Sequence, residues 1–159
     1  MHGERLGPND PQAVTVITTN PDLFYSSNHP SPRHGPQVLE AALQAICKKA
    51  LNRDIVIERY GKPYTFNYDF TEEFLRTKAA KRAIKISKFY MIGDNPLSDI
   101  AGANKKGWVS ILVRSGVFDA NDATMSLHGN HREHPATHVV DTFKDAIELI
   151  YRLENLTLE

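Results

Sequence analysis

Cysteine is almost absent from this chain. Cys47 stands alone among 159 residues, so no internal disulfide can form. A small fold held by a disulfide framework is excluded, and an intracellular setting is favoured. Cys47 falls on an apolar helical face, where it reads as a small buried hydrophobe. Charge of one sign is lacking too. The 19 Lys and Arg balance 19 Asp and Glu, for a formal net charge of +0. The basic residues are scattered, which removes the stripe that a nucleic-acid partner requires. No apolar run approaches the roughly 20 residues that span a bilayer. The opening "MHGERLGPND" has neither the apolar core of a signal peptide nor an Arg-rich amphipathic pattern. It reads as a soluble start or as a cut within something longer. The expected location is intracellular, cytoplasmic or mitochondrial, with no nucleic-acid and no membrane partner.

What is present is ordinary globular material, 41% hydrophobic and 24% charged, enough to build a core. The β-branched run "AVTVITT" (13–19) predicts a buried strand. It ends at Asn20-Pro21-Asp22, and the proline-rich segment after it predicts a long loop. Val38, Leu39, Ala42, Leu43, Ile46, Cys47 and Ala50 recur at helical spacing on one face. "DIVIERY" (54–60) is a strand candidate broken by Gly61-Lys62-Pro63. Phe70, Phe74, Leu75, Ala79 and Ile84 predict a helix over 69–85. "KFYMIG" (88–93) predicts a strand. Asn95 then reads as an N-cap with Pro96 at the first helical position, and Gly107 stops the helix. "WVSILVR" (108–114) and "THVVD" (137–141) predict two more strands, separated by a loop over 115–136. A closing helix starts at Thr142 or Asp141. From residue 54 on, strands and helices alternate through short links, the pattern of parallel strands with crossover helices. Ligands in such sheets sit at the carboxyl ends of strands, where Lys62, Asp94 and Arg114-Ser115-Gly116 all fall.

Three groups could carry chemistry. Asp94 ends a strand beside Gly93, and Asp99 lies in the first turn of the next helix. Two carboxylates facing one crevice repel each other unless a cation sits nearby. Mg²⁺ suits them, because it takes oxygen ligands and needs only one or two protein carboxylates plus substrate phosphate. The structural alternative makes Asp99 a helix-start acid favoured by the dipole and Asp94 a turn residue. Lys62, held between glycine and proline, could reach a phosphate or a developing negative charge, or simply belong to a loop. His128, His131, His134 and His138 invite a transition-metal site. Their spacing matches no known site, and a solvated loop is the better reading.

These pieces resemble a known family. "GKP" (61–63), "FYMIGDNPLSDIAGANKKGWVSILVRSGVF" (89–118) and "THVVDTFKDAIELI" (137–150) are similar to the C-terminal half of haloacid dehalogenase (HAD) superfamily hydrolases. The closest resemblance is to subclass IIA, the NagD-like and 4-nitrophenylphosphatase-like phosphatases. Within it, "NPDLFYSSNHPSPRHGP" and the "GDNPLSDIAGAN" region most resemble the cat-eye-syndrome critical-region hydrolase-like group. The resemblance implies an α/β fold: the second half of a Rossmann-like core over 59–159, preceded by the end of an α/β cap domain over 1–58. It implies Mg²⁺-dependent hydrolysis of phosphoric monoesters through an aspartyl-phosphate. Asp94 would be the Mg²⁺ ligand and Lys62 the charge-stabilising lysine. Asp99 would be the supporting acid that orients the lysine or a metal-bound water. Asn20 and Asp22 match a motif near the end of the cap and would help shape a pocket for a small phosphorylated metabolite. Members of the family often pair as homodimers through their caps.

One part of the family pattern is missing. The nucleophile belongs to an Asp-x-Asp-x-Thr/Val motif, and no two aspartates of this chain are so spaced. "DANDA" (119–123) has the wrong spacing and lies in a loop after Asp94. The second motif, a Ser or Thr ending a strand upstream of the cap, has no clear counterpart. The chain is therefore expected to be inactive alone, to leave a sheet edge and an apolar face uncovered, and to associate with a missing N-terminal half. The alternative is a non-catalytic HAD-like interaction module that keeps the metal-site residues by descent.

Overall fold

The structure, a computed structural model, describes residues 11–25 and 27–157. It divides into two compact units, the first ending at Gly61 and the second beginning at Lys62.

In the first unit, β1 (Val16–Thr18) runs parallel to β4 (Ile57–Arg59), with Val16 opposite Ile57. Between them come β2 (Phe24–Tyr25), β3 (Arg33–His34) and α1 (Gln37–Leu51). The proline-rich stretch expected as a plain loop thus holds a short antiparallel pair, Phe24 opposite His34. The strand candidate at 54–60 also differs from expectation. It pairs with β1, so it belongs to this unit and not to the parallel sheet downstream. The expected apolar face of α1 is split. Val38, Leu43 and Cys47 are half-buried, whereas Leu39 and Ile46 are exposed. Side chains do much of the tying here. The Gln44 amide both donates to and accepts from the Ile55 backbone, and Arg59 forks onto Glu40.

The second unit is built on three parallel strands in the order β5 (Tyr90–Gly93), β6 (Val109–Val113), β9 (His138–Val140). Alternation along β6 sends successive side chains to opposite faces. Ile111 and Val113 pack with Ala146, Leu149 and Ile150 of α4 (Phe143–Leu153) on one face. Leu112 packs with Ile100, Phe118 and Ala136 on the other. Coverage on both faces explains the continuous apolar run of β6. Among the described residues, β5 is paired on its β6 side only.

Before the sheet comes α2 (Thr65–Ala80), earlier than the expected 69–85. It is over before Ala83, whose φ of 56° is left-handed and cannot continue a helix. Its buried residue is Tyr68, while the anticipated face of Phe70, Phe74 and Leu75 is exposed. Tyr68 gets in because Gly102 leaves room: a Cβ at Gly102 would overlap the tyrosine ring. After β5, Asn95 caps as expected, its side chain accepting from Leu97 N–H at 3.0 Å. The turn that follows is wider than an α-helix. Residues Pro96–Ile100 form a π-turn, which passes into α3 (Ala101–Lys106) and stops at left-handed Gly107. The 115–136 segment, expected as loop, contains a hairpin of β7 (Ser126–Leu127) and β8 (Asn130–His131). Its two linking residues, His128 and Gly129, both have positive φ, the geometry of a tight hairpin turn.

Helix α4 begins with a capping box in which Thr142 accepts from Asp145 N–H and Asp145 accepts from Thr142 N–H. Replacing Thr142 by Ala is expected to cost about 1 kcal/mol, and Thr142→Ser a few tenths at most. Urea unfolding of both variants checks this.

Candidate active site

Asp94 follows directly on β5, and Asp99 lies in the turn after it. Asp99 is 2% exposed, a setting in which a carboxylate must be paired and hydrogen-bonded. Its Oδ1 accepts from Lys62 Nζ at 2.5 Å and its Oδ2 from Asn95 N–H at 3.1 Å. The carboxyl rests against the backbone of Gly93, where a Cβ would overlap it. Glycine there is a requirement of packing more than of backbone angle. The Tyr68 hydroxyl donates to the Ser98 and Asp99 carbonyls at 3.3 and 3.1 Å. Burial, and then the Asp99 charge, push that hydroxyl up to about 12, so it stays a donor throughout the neutral range.

Asp94 is half-buried and turned toward the loop after β6. Its Oδ2 accepts from Val117 N–H at 2.9 Å. A Cβ at Gly116 would overlap the Asp94 carboxyl, so glycine lets that loop close over it. Among the described residues Oδ1 of Asp94 has no such donor. The structure therefore joins Lys62 to Asp99 directly, and links Asp99 to Asp94 through the Gly93–Asn95 backbone. Asn20 and Asp22 lie in the first unit, where Asp22 N–H donates to Asn20 Oδ1 at 2.8 Å and turns the chain between β1 and β2.

Oxygen donors make up this corner, which fits a hard cation such as Mg²⁺. Among the described residues no three His, Cys, Asp or Glu are grouped to hold a metal by themselves. Two features of the site escape the sequence reading. The Val117 N–H is a backbone group and carries no signal of its own, although Gly116 next to it marks a close approach. His131, expected in a solvated loop, is 4% exposed.

The family model for HAD-hydrolase-like proteins matches residues 59–146. The chain belongs to the HAD-like hydrolase family. A fission yeast protein, the Schizosaccharomyces pombe cardiolipin synthase (CMP-forming)/mitochondrial hydrolase fusion protein, is 33% identical over 134 residues, covering 83% of this chain and 21% of that one. The solved structure of a possible sugar phosphatase of the HAD superfamily from Cytophaga hutchinsonii superposes with a TM-score of 0.64 at 25% identity, covering 82% of this chain and 42% of that one. The Mycobacterium tuberculosis glycerol phosphate phosphatase, solved in complex with magnesium, shares the fold with a TM-score of 0.53 at 21% identity, covering 83% of this chain and 34% of that one. This HAD-like chain thus spans less than half the length of the relatives it matches.

Lys62 is part-exposed and Asp99 is not, so the penalty for breaking their pair falls on the buried carboxylate. Lys62→Met is expected to destabilise the protein by about 1–3 kcal/mol at pH 7. The double variant Lys62→Met/Asp99→Asn recovers much of that loss, and a double-mutant cycle from urea midpoints measures the coupling.

Proposed function

We propose that this chain supplies the metal-and-lysine half of a Mg²⁺-dependent HAD phosphatase acting on a small phosphorylated metabolite, and that by itself it releases no phosphate. The observation that carries the reading is the corner at the end of β5. There Asp94 offers one oxygen beside a buried acid that holds a lysine. Asp94 is the residue to hold Mg²⁺, which when bound offsets charge on the phosphate. Asp99 orients Lys62, whose ammonium has only one of its donors on Oδ1 and can aim the others at a phosphate oxygen. Asn20 and Asp22, in the first unit, are the further residues proposed for substrate contact. Tyr68 and Asn95 hold the Asp99 backbone and side chain in place. A nucleophile is not among these residues, and the Asp-x-Asp-x-Thr/Val motif that would bring one does not occur in the 159 residues.

Association with a segment carrying that motif is supported by the apolar surface left open. Phe70 and Phe74 stack on each other yet remain 63% and 49% exposed, and β5 has an unpaired side among the described residues. The alternative partner is a second copy of the chain. A mitochondrial setting follows the name of the fission yeast relative.

With saturating Mg²⁺ and 4-nitrophenyl phosphate, the 159-residue chain is expected to show no phosphate release above buffer. A protein joining this chain to a segment with the nucleophile motif is expected to be active, and Asp94→Asn there to lower kcat by about 10²-fold or more. Robust Mg²⁺-dependent release by the chain alone, abolished by Asp94→Asn, overturns the proposal.

A further inference from the structure

The loop that grips Asp94 is itself held by a buried histidine that the phosphatase reading does not use. Val117, which donates to Asp94, is followed by Phe118, and Phe118 is seated in the core with Ile100, Leu112 and Ala136. The His131 ring of β8 lies edge-on to Phe118, with centroids 6.1 Å apart at 62°. It also stacks on His134, with centroids 5.6 Å apart at 6°. Its Nδ1 sits 3.0 Å from the backbone nitrogen of His134. A backbone N–H can only donate, so Nδ1 must carry a lone pair and the ring proton must be on Nε2. The neighbouring Asn130 pins the same hairpin to the core, its amide bonding both ways with the Ala136 backbone at 2.9 Å.

The geometry points to His131 as a proton-sensitive latch: neutral, it keeps Phe118 seated and the Val117 N–H on Asp94; protonated, it releases both. Protonation puts an N–H at Nδ1, facing the N–H of His134 that it now accepts from. It also places a charge in a pocket of two aromatic rings, where desolvation opposes it. The surrounding groups do little to compensate. His134 is a second imidazole face to face, and it repels once charged. Glu133 attracts, but it is exposed. Phe118 and the paired Ser126 of β7 are neutral. Arg114 is engaged by Asp141, and Arg132 by the Ala123 carbonyl. Burial first, and His134 second, hold the imidazole below its ordinary 6.5, with Glu133 opposing. The sign follows. Well above 6.5 neither the closed nor the opened form binds this proton, and the latch is at full strength. As pH falls, the opened form takes the proton first, and the closed form loses stability down through its own lower pKa. Loosening then reaches Asp94, because Val117 and Phe118 are consecutive. The consequence for cation binding rests on the reading of Asp94 proposed above; the latch itself does not.

The test is amide and imidazole NMR on the full chain between pH 8 and 5. The Val117 amide is expected to shift with the midpoint of the His131 ring, and its exchange protection to fall about tenfold between pH 7.5 and 5.5. In His131→Gln, whose side-chain oxygen can still accept from His134 N–H but does not titrate, that transition disappears. His134→Ala, which keeps the backbone donor and removes the stacked ring, moves the His131 midpoint upward. A Val117 amide that stays flat while His131 titrates, or one that keeps its midpoint in His131→Gln, overturns the latch. Titration with Mg²⁺ at pH 7.5 separates the two ideas. If Mg²⁺ leaves Val117 unmoved while pH moves it, the cation reading of Asp94 fails and the latch stands.

Discussion

The second unit depends on how one buried carboxylate is kept satisfied. Asp99 has almost no contact with water, so leaving either oxygen without a donor would cost as much as a typical single contact contributes several times over. Its two donors both precede it in the sequence, one from far away and one from close by. Lys62 reaches in from before α2, and the Asn95 N–H comes from the turn that carries Asp99. Tyr68 then fastens the backbone of the same residue to α2. A helix that buries only one side chain is thereby fixed to the sheet through polar contacts, and Gly93 and Gly102 are small because the carboxyl and the tyrosine ring need the space.

The sheet explains why this polar corner can be rigid. β6 is buried on both faces, and each face leads to a different consequence. The Ile111 and Val113 side anchors the closing helix. The Leu112 side anchors Ile100, at the end of the turn bearing Asp99, and Phe118, next to the residue that holds Asp94. One strand therefore positions both acids through apolar contact, while hydrogen bonds set their final orientation. Two carboxylates near each other stay in place because each is held by separate donors.

Much of this was legible in the sequence, and the failures are instructive. Asn95 as a cap, Pro96 after it, Gly107 as a stop and Thr142 as a cap all act through local backbone chemistry, which survives translation into structure. The strands at 90–93 and 109–113 showed as apolar runs. Burial on helices was misjudged where periodicity alone was used. Phe70 and Phe74 have the spacing of a core face but lie exposed, and Tyr68 was chosen because of a glycine 34 positions away in another helix. The partner of the 57–59 strand was a matter of topology that no local pattern encodes. His131 looked like one of several loop histidines. Its burial depends on Phe118 and on a hairpin whose turn residues, His128 and Gly129, are not the usual pair. The roles proposed for Asp94 and Lys62 rest on a family likeness, whereas the Val117 amide that donates to Asp94 left no local signal.

The π-turn after β5 gives this corner a property of counting. The Asn95 carbonyl receives the N–H groups of Ser98, Asp99 and Ile100 at 3.3, 2.8 and 3.4 Å, a ring one residue wider than an α-helix allows. Such a turn is equivalent to a helix with one residue inserted. Each residue of an α-helix advances the side-chain direction by about 100°. Shortening Pro96–Ile100 by a single residue would relax the turn into an ordinary helix and swing the acid about a quarter-turn away from Lys62, with composition and apolar pattern nearly unchanged. In this segment, length itself is under constraint, so an insertion or deletion there is a graver change than most substitutions.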